Sequence, residues 1–459
     1  MSGELRPYPR YKDSGLMWIG KVPEHWKLRR MKFLLRETDA RSIDGKEQLL
    51  RVSQYSGVTE RKSKNGSEQA DTRAASLIGY KKVARNDLVI NIMLAWNGSL
   101  GVSSFVGIVS PAYCVYSFRP GIVPRYYHSL LRSPAYKGRI KIASTGVVES
   151  RLRLYTNNLG DIEALLPPPA EQAAIAKYLS HATARIDQAI AAKKKVVGLL
   201  EEEKRTIIQK AVTKGLDPNA KMKDSGVPWI GEIPEGWSCV RNLALFANRV
   251  EHGIPGLPIF QVSLHSGVTE EPLDQFGREK WLINNQSMYK LVRLNDIAYN
   301  TMRMWQGAVG VVPKDGLVSP AYVVLRPRDG VFSKYYELLF RTGFYKGQMN
   351  RFSTGIVSDR NRLYWDSFKQ MPNLLIPEPE QKRIVAGINK LLSPVLLSIE
   401  KTDAEISLLR EYRTRFVADV VTGKLDVRKA AEGLPEVDEV PVELVEEEGE
   451  IEDEEAEEA

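Results

Sequence analysis

The sequence predicts an α+β chain: a tandem duplication of a β-rich α/β domain followed by a long helix, the two long helices pairing as an antiparallel coiled coil with pseudo-twofold symmetry. Three observations carry this. The phrase "KDSGLMWIGKVPEHW" from Lys12 returns as "KDSGVPWIGEIPEGW" from Lys223. The blocks after it return in the same order at an almost constant offset: "SGVTE" at Ser56 and Ser266, "NDLVINIMLAWNGSLGV" at Asn86 against "NDIAYNTMRMWQGAVGV" at Asn295, "VSPAY" at Val109 and Val318, "YKG" at Tyr136 and Tyr345, and "STGVVESRLRLY" at Ser144 against "STGIVSDRNRLY" at Ser353. Each repeat then ends in a stretch of about 30 residues whose apolar positions follow a heptad. A length of 459 residues is too great for one ordinary core and agrees with two domains.

The elements follow in order. Residues 1–168 form the first globular part, 169–215 the first helical region, 216–377 the second globular part, 378–426 the second helical region, and 427–459 an acidic tail that reads as disordered. Within the globular parts, "LVINIML", "YCVYSF", "DIAYNTM" and "YVVLRP" are strand-type runs separated by Gly, Pro and Asn turns. "LLPPPAEQ" and "LLIPEPEQ" break the chain before helices whose first turn carries Glu. The first long helix is expected over about 183–212. Ser393-Pro394 reads as a cap and first-turn proline, which divides the second region into helices near 380–392 and 394–421.

Heptad rows place Leu179, Ile186, Leu200 and Ile207 beside Ile190, Val197 and Ala211 on the first helix. The second has Ile388, Val395, Leu409 and Phe416 beside Leu392, Ile399, Ile406 and Val420. Ile186, Ile190, Val197, Leu200, Ile207, Val395, Ile399, Ile406, Leu409 and Phe416 are the expected pairing residues. Lys193, Lys204, Thr402 and Arg413 interrupt the rows and read as chains at a solvated edge, with register setting as the alternative. A 30-residue helix is about 45 Å long and one turn of B-DNA about 34 Å, so such a rod could hold two readers roughly one turn apart.

Charge narrows the class of partner. The chain carries +8 at pH 7, but from Glu432 to Ala459 it has fifteen acidic residues and no Lys or Arg, which leaves +23 on the remainder. That balance favours a polyanion through counterion release. Absence of a long apolar run and of a signal-peptide core predicts a cytoplasmic protein with no membrane partner. Cys114, Cys239 and five scattered histidines give neither a disulfide framework nor metal spacing; the cysteines read as small buried hydrophobes.

No catalytic constellation is legible. "LLPPPAEQ" lacks the Asn/Asp and the aromatic residue that flank the prolines of an adenine-methylating site, and "WNGSLG" has no "GK[ST]" after it. Asp87 and Asp296 read as turn residues ahead of strands. The expectation is a chain with no catalytic residue, metal or cofactor of its own.

Polyanion contacts are better placed in three pairs of loops, where Arg, Asn and Gln suit base edges and Lys, Ser, Thr and glycine amides suit phosphates. The candidates are Gln54, Tyr55, Trp96, Asn97, Ser144, Thr145, Gly146, Arg151 and Arg153 in the first repeat. In the second they are Leu264, His265, Arg303, Trp305, Gln306, Ser353, Thr354, Gly355, Arg360 and Arg362. Plainer readings stand beside them: Trp96 and Trp305 as core or platform aromatics, Arg151 and Arg360 as ion-pair partners, and the two "STG" segments as simple turns. The frames match while the tips differ, since Gln54-Tyr55 becomes Leu264-His265, Asn97 becomes Gln306, and Glu149-Ser150 becomes Ser358-Asp359.

The repeated "KDSG…WIG…P..W", "N…M…W.G..GV", "VSPAY", "STG.V…R.RLY" and "P..EQ..I" blocks, with a helical region closing each repeat, resemble the specificity subunit of type I restriction–modification systems over Tyr8 to Asp426. The resemblance implies two target recognition domains, each reading one half of a bipartite sequence in double-stranded DNA, with the helices setting the unread spacer. It implies no catalysis in this chain. Two modification (methyltransferase) subunits would supply S-adenosylmethionine chemistry, and two restriction (translocase/nuclease) subunits ATP- and Mg2+-dependent translocation and cleavage. The acidic tail lies outside it. A non-catalytic coiled-coil scaffold that binds RNA or an acidic partner is the alternative from another class. The shared frames further predict half-sites that partly mirror each other, and the repeated phrase reads as framework whose Trp18, Trp26, Trp229 and Trp237 anchor against helix ends.

Overall fold

A computed structural model describes residues 5–61, 76–148, 151–270, 286–355 and 361–436. It divides into two compact units, Met1–Lys194 with Ala404–Ala459, and Lys195–Asp403. Arg360, the tip residues Glu149-Ser150 and Ser358-Asp359, and the acidic tail beyond Glu436 lie outside the described residues; the tail expected to be disordered from residue 427 instead starts ordered, with Val427 buried and a short helix over Arg428–Glu432 that buries Ala431.

In the first unit, strands β1 (Leu35–Thr38), β2 (Leu50–Ser53), β3 (Gly57–Glu60), β4 (Leu88–Asn91), β5 (Leu100–Val102) and β6 (Tyr113–Phe118) form two layers. The main sheet runs β1-β6-β4-β5, antiparallel throughout. Every residue of β4 is buried, because the strand is covered on both faces and its side chains alternate between them. Leu88 and Ile90 pack toward helices α1 (Pro124–Leu131) and α2 (Pro134–Ala143). Val89 packs with Leu50, Val52 and Val58 of the β2–β3 hairpin. Helix α3, Pro169–Lys214, follows.

The second unit repeats the plan with β7 (Phe246–Asn248), β8 (Ile259–Ser263), β9 (Gly267–Glu270), β10 (Lys290–Val292), β11 (Ile297–Asn300), β12 (Val309–Val311), β13 (Gly316–Val318) and β14 (Tyr322–Pro327). One sheet is β7-β14-β11-β12; the other is β9-β8-β13-β10, with β8 and β13 parallel. The first unit keeps that parallel pairing as a single bridge, Leu49 to Ile108. Helices α4 (Ser333–Phe340), α5 (Gly343–Phe352) and α6 (Glu378–Val421) complete the second repeat. Equivalence extends to backbone detail: among the described residues the non-glycine positions in the left-handed region are Asn86 at φ 70° and Asn295 at φ 68°, each turning the chain into its central strand.

Two expectations about the helices are corrected. The first long helix begins at Pro169, not near residue 183, and spans 46 residues; the proline occupies a first-turn position where its missing N–H costs nothing. The second is one helix of 44 residues that runs through Pro394, not two. An interior proline costs about 3 kcal/mol, and burial of Leu392 and Val395 on either side opposes that cost at roughly 1.5–3 kcal/mol per side chain.

Inside each unit a segment of α3 runs antiparallel to a segment of α6. In the first unit Asp187 takes a two-point ion pair from Arg413 at 2.9 and 3.3 Å, Lys193 pairs with Glu405, and Tyr178 meets Phe416 with ring centroids 6.2 Å apart. Lys193 and Arg413 therefore both reach across to the other helix, Lys193 from a solvated edge and Arg413 from a site about one-fifth exposed, whereas Lys204 pairs along its own helix with Glu201 and the Thr402 hydroxyl donates to the Ser398 carbonyl. In the second unit Leu216 lies against Gly387. Ile190, Val395 and Ile406 are buried; Ile186, Val197, Leu200, Ile207, Ile399, Leu409 and Phe416 are half-buried. Leu199, Leu391 and Leu408, outside the heptad rows, are exposed.

The repeated opening phrase lies where helices start and stop. In the first unit the Trp26 indole is buried and donates to Glu171 Oε1 at 2.9 Å, in the first turn of α3, while its ring abuts Gly423, just past the end of α6. In the second unit Trp237 is buried beside Gly215, just past the end of α3. Trp18 and Trp229 set their edges against Tyr136 and Tyr345, at 4.9 and 5.2 Å between centroids. Cys114 and Cys239 are half-buried free thiols, which corrects the expectation of full burial; each packs at the margin of its unit's core.

Candidate nucleic-acid interface

Two of the three loops of the first repeat come together around two basic side chains, Arg132 and Lys137, of the α1–α2 segment. The β2–β3 hairpin turns through Gln54, Tyr55 and Ser56, with Tyr55 exposed. Just past the end of α1, Arg132 donates through Nη2 to the carbonyls of Gln54 at 3.1 Å and Tyr55 at 2.7 Å. Through Nη1 it donates to those of Leu100 at 2.9 Å and Gly98 at 3.2 Å. One guanidinium thereby joins the hairpin tip to the "WNG" turn. A planar fork of five donors is the group suited to this.

That turn is a short 3-10 helix over Ala95–Asn97 closed by Gly98 at φ 105°. A Cβ at Gly98 would stand 2.5 Å from Lys137 Cε, so glycine lets the α2 lysine lie across the turn. Trp96 is half-buried, its indole N–H donating to the Met93 carbonyl at 3.1 Å, with Lys141 above its ring at 5.3 Å. Asn97 Oδ1 accepts from the Ser99 amide and hydroxyl, so a bidentate contact to adenine would share that oxygen.

The third loop leaves α2. Ser144 is buried and its hydroxyl donates to the Ile140 carbonyl at 2.8 Å, closing the helix. Thr145 and Arg153 exchange backbone hydrogen bonds at 2.9 Å, and Leu154 N–H donates to the Ile92 carbonyl, which ties the loop to the end of β4. A Cβ at Gly146 would come 2.5 Å from the Arg151 carbonyl, so this glycine serves a close backbone approach. Thr145, Gly146 and Arg151 are exposed, and Arg153 is half-buried.

The second repeat reproduces the frame with other tips. Arg341 Nη2 donates to the carbonyls of Leu264 and His265, both at 2.6 Å, and Lys346 lies against Gly307 as Lys137 does against Gly98. Trp305 N–H donates to the Met302 carbonyl at 3.0 Å. Ser353 caps α5 through the Met349 carbonyl, and Thr354 pairs with Arg362. His265, Arg303, Thr354, Gly355 and Arg362 are exposed; Leu264, Gln306 and Ser353 are half-buried.

Basic side chains gather at the candidate site of the first unit. A cleft of about 210 Å³ in the first unit is lined by Gln54, Tyr55, Arg125, Arg132, Lys137 and Arg413 among others, with no carboxylate in its lining. In the second unit burial, then the neighbouring Arg341 and Arg205, hold Lys346 below its ordinary value. Cations crowded in this way gain when a phosphate arrives. The aspartates flanking the central strands belong to the fold: burial raises Asp87, whose carboxylate accepts from the Ala84 amide at 2.8 Å. Burial likewise raises Asp296, held by Arg249 Nε at 2.7 Å. Among the described residues no group of three His, Cys, Asp or Glu stands where it could hold a metal, and no helix is long and apolar enough to cross a membrane.

Sequence reasoning placed the loops but missed Arg132, Arg341, Lys137 and Lys346. The signal was available, for "R..AYKG" and "R..FYKG" are both centred on the quoted "YKG" repeat. Being identical in both repeats, these residues are hidden from a search for varying tips.

No family model matches the chain. It is 30 % identical over 171 residues to the MjaVIII type I restriction enzyme specificity subunit of Methanocaldococcus jannaschii, covering 35 % of this chain and 37 % of that protein. It is 27 % identical over 236 residues to a putative MjaX type I specificity subunit of the same organism, covering 48 % and 53 %. The chain thus spans between about a third and a half of the length of the curated relatives it matches. A chain solved in work on complex assembly and conformational transition of the type I R-M system superposes with a TM-score of 0.62 at 16 % identity, covering 88 % of this chain and 99 % of that one. The two chains share a fold over most of their length.

Proposed function

We propose that this chain is a sequence-specific DNA-binding subunit that recognises a bipartite target and directs methylation and restriction carried out by partner subunits. The observation that carries the reading is the duplicated frame with unlike tips: the same arginine and lysine hold the same loops in both units, yet Gln54-Tyr55 stands where the other has Leu264-His265. A scaffold needs the helices and the charge but has no use for this difference. The basic cleft and Lys137 supply phosphate contacts that position the protein, and the tips read base edges. The long helices fix the unread spacer between half-sites.

No step of catalysis is assigned to the chain. Two modification subunits bring S-adenosylmethionine to the target adenine, and two restriction subunits bring ATP- and Mg2+-dependent translocation and cleavage. Exposed Leu199, Leu391 and Leu408 on the paired helices supply apolar area for such partners. The cytoplasm is where these partners and the DNA are. Sequencing methylated DNA from a host that carries the complex tests the reading. Adenine methylation within a two-part motif of fixed spacing is expected, and equal lengthening of both long helices should widen the spacer and leave the half-sites unchanged. Binding that prefers single-stranded RNA to duplex DNA would favour the scaffold.

A further inference from the structure

We propose that Arg132 and Arg341 are the positioning residues of sequence recognition, each fixing the direction of its own unit's hairpin tip without touching a base. This rests on the DNA-reading function above. In the first unit the guanidinium turns the Gln54 and Tyr55 carbonyls inward at 3.1 and 2.7 Å. With those carbonyls pinned, the two side chains have their directions set, and Tyr55 faces out. Nη1 simultaneously holds Gly98 and Leu100, so the hairpin is referenced to the "WNG" turn some 40 residues further along the chain.

The second unit keeps the clamp on the tip and changes its support. Arg341 Nη2 holds Leu264 and His265, while Nη1 faces the Glu337 carboxylate at 3.7 Å. In the first unit His128 takes the place of that carboxylate and accepts from the Val102 amide at 3.1 Å through Nδ1. Glycine admits the clamp in both. A Cβ at Gly57 would fall 3.1 Å from His128 Cε1 and 3.6 Å from Arg132 Nη1; at Gly267 it would fall 3.2 Å from Glu337 Oε1 and 3.3 Å from Arg341 Nη1. Both glycines also have left-handed φ, 72° and 73°. A constant arginine over a constant glycine, beneath tips that differ, is the arrangement expected of a mount that accepts interchangeable readers. Reading groups discriminate well only when a supporting shell holds them within a fraction of an ångström. Lysine gathers its three donors on one nitrogen and lacks the fork of separated nitrogens with which Arg132 holds the Gln54–Tyr55 and Gly98–Leu100 carbonyls at once.

The test uses the full chain in its complex, with Arg132→Met, Arg132→Lys and Arg341→Met. Methylated motifs are read from host DNA, and amide hydrogen exchange is followed at residues 54–57 and 264–267. Discrimination per base pair is ordinarily about 5- to 150-fold. R132M is expected to reduce it to within about threefold for one half of the motif only, and R341M for the other half only, with the spacer unchanged. R132K should behave as R132M does. Tip amides should exchange more than about tenfold faster while amides of β4 and β11 keep their protection. Loss of both halves in a single variant, or full retention of both, overturns the proposal, as does unchanged exchange at the tips. If the unaltered complex yields no two-part motif, the functional reading fails on that result alone; the exchange measurement still decides whether the arginine orders the tip.

Discussion

Replacing Gly423 by alanine should damage the first unit more than the matching change, Gly215→Ala, damages the second. Each glycine follows the end of a long helix and has left-handed backbone, φ 79° at Gly423 and 78° at Gly215. Alanine in that region costs about 1–2 kcal/mol, a term common to both. Their surroundings differ. A Cβ at Gly423 would lie 2.5 Å from Pro23 Cδ, 2.7 Å from Pro23 Cγ and 2.9 Å from Trp26 Cη2, whereas at Gly215 the nearest atom is Trp237 Cζ2 at 3.6 Å, an ordinary contact. Pro23 and Trp26 are buried and cannot swing aside, so G423A carries a further overpacking cost of about 1–3 kcal/mol. The total is about 2–5 kcal/mol against about 1–2 for G215A. Hydrogen exchange of the amides at 22–26 and 420–427, against those at 233–237 and 211–216, reads each unit separately, which a single melting curve of a two-unit chain does not. Equal effects of the two substitutions would refute the claim that the helix end is fitted against the repeated phrase in the first unit.

Glu171→Ala removes the acceptor of the buried Trp26 indole and the partner of His25 Nε2 at 2.7 Å, and should cost about 1–3 kcal/mol of the hydrogen-exchange protection of amides at 22–26 in the first unit. Glu380→Ala should cost less, since Trp237 Nε1 has no hydrogen-bond partner to lose; equal costs would show that Glu171 acts otherwise. Asp187 and Arg413, each about one-fifth exposed, should show a coupling of about 0.5–1 kcal/mol in a double-mutant cycle, and additivity would remove their register-setting role. The hydrogen bond from Arg428 holds Asp426 below its ordinary value. A depressed carboxylate stabilises the fold above its unfolded pKa of roughly 4, and this contribution is lost as pH falls through the lower folded value. Protection of amides near Arg6, whose carbonyl accepts from Asp426 N–H, should therefore fall in acid. Asp426→Asn should remove that acid step, and an unchanged profile would exclude this carboxylate as its source.

The duplicated plan was legible because repetition shows itself whatever each block does. Strand runs such as "YCVYSF" coincide with β6 over Tyr113–Phe118, since alternating burial across a covered sheet needs β-type residues at every position. Pro394 misled, because local propensity marks a start there while tertiary burial of Leu392 and Val395 decides for continuity. At the candidate interface the legible part was the tips and the hidden part their mounts. Arg132 makes its contacts to backbone carbonyls, which exist at every residue and leave no mark in the partner sequence. Trp96 and Ser144 are residue types suited to nucleic acid whose polar atoms are engaged by the local backbone.

The helix ends explain why the repeat unit in sequence is not the unit of folding. Val420, Val421 and Val427, from the second repeat, are buried in the core of the first unit, where the Tyr126 hydroxyl donates to the Val421 carbonyl at 3.0 Å. Ala211 and Val212, from the first repeat, are buried in the core of the second, where Tyr335 donates to the Val212 carbonyl at 2.6 Å. Burial raises both phenols well above their ordinary value, so they remain donors at any pH the protein meets. Each unit's core is thus closed by residues at the far end of the other repeat's helix. In such a design the helices cannot act as loose tethers. A change in the register of either long helix is felt first in the core that its far end enters, at Val420 and Val421 in the first unit and at Ala211 and Val212 in the second.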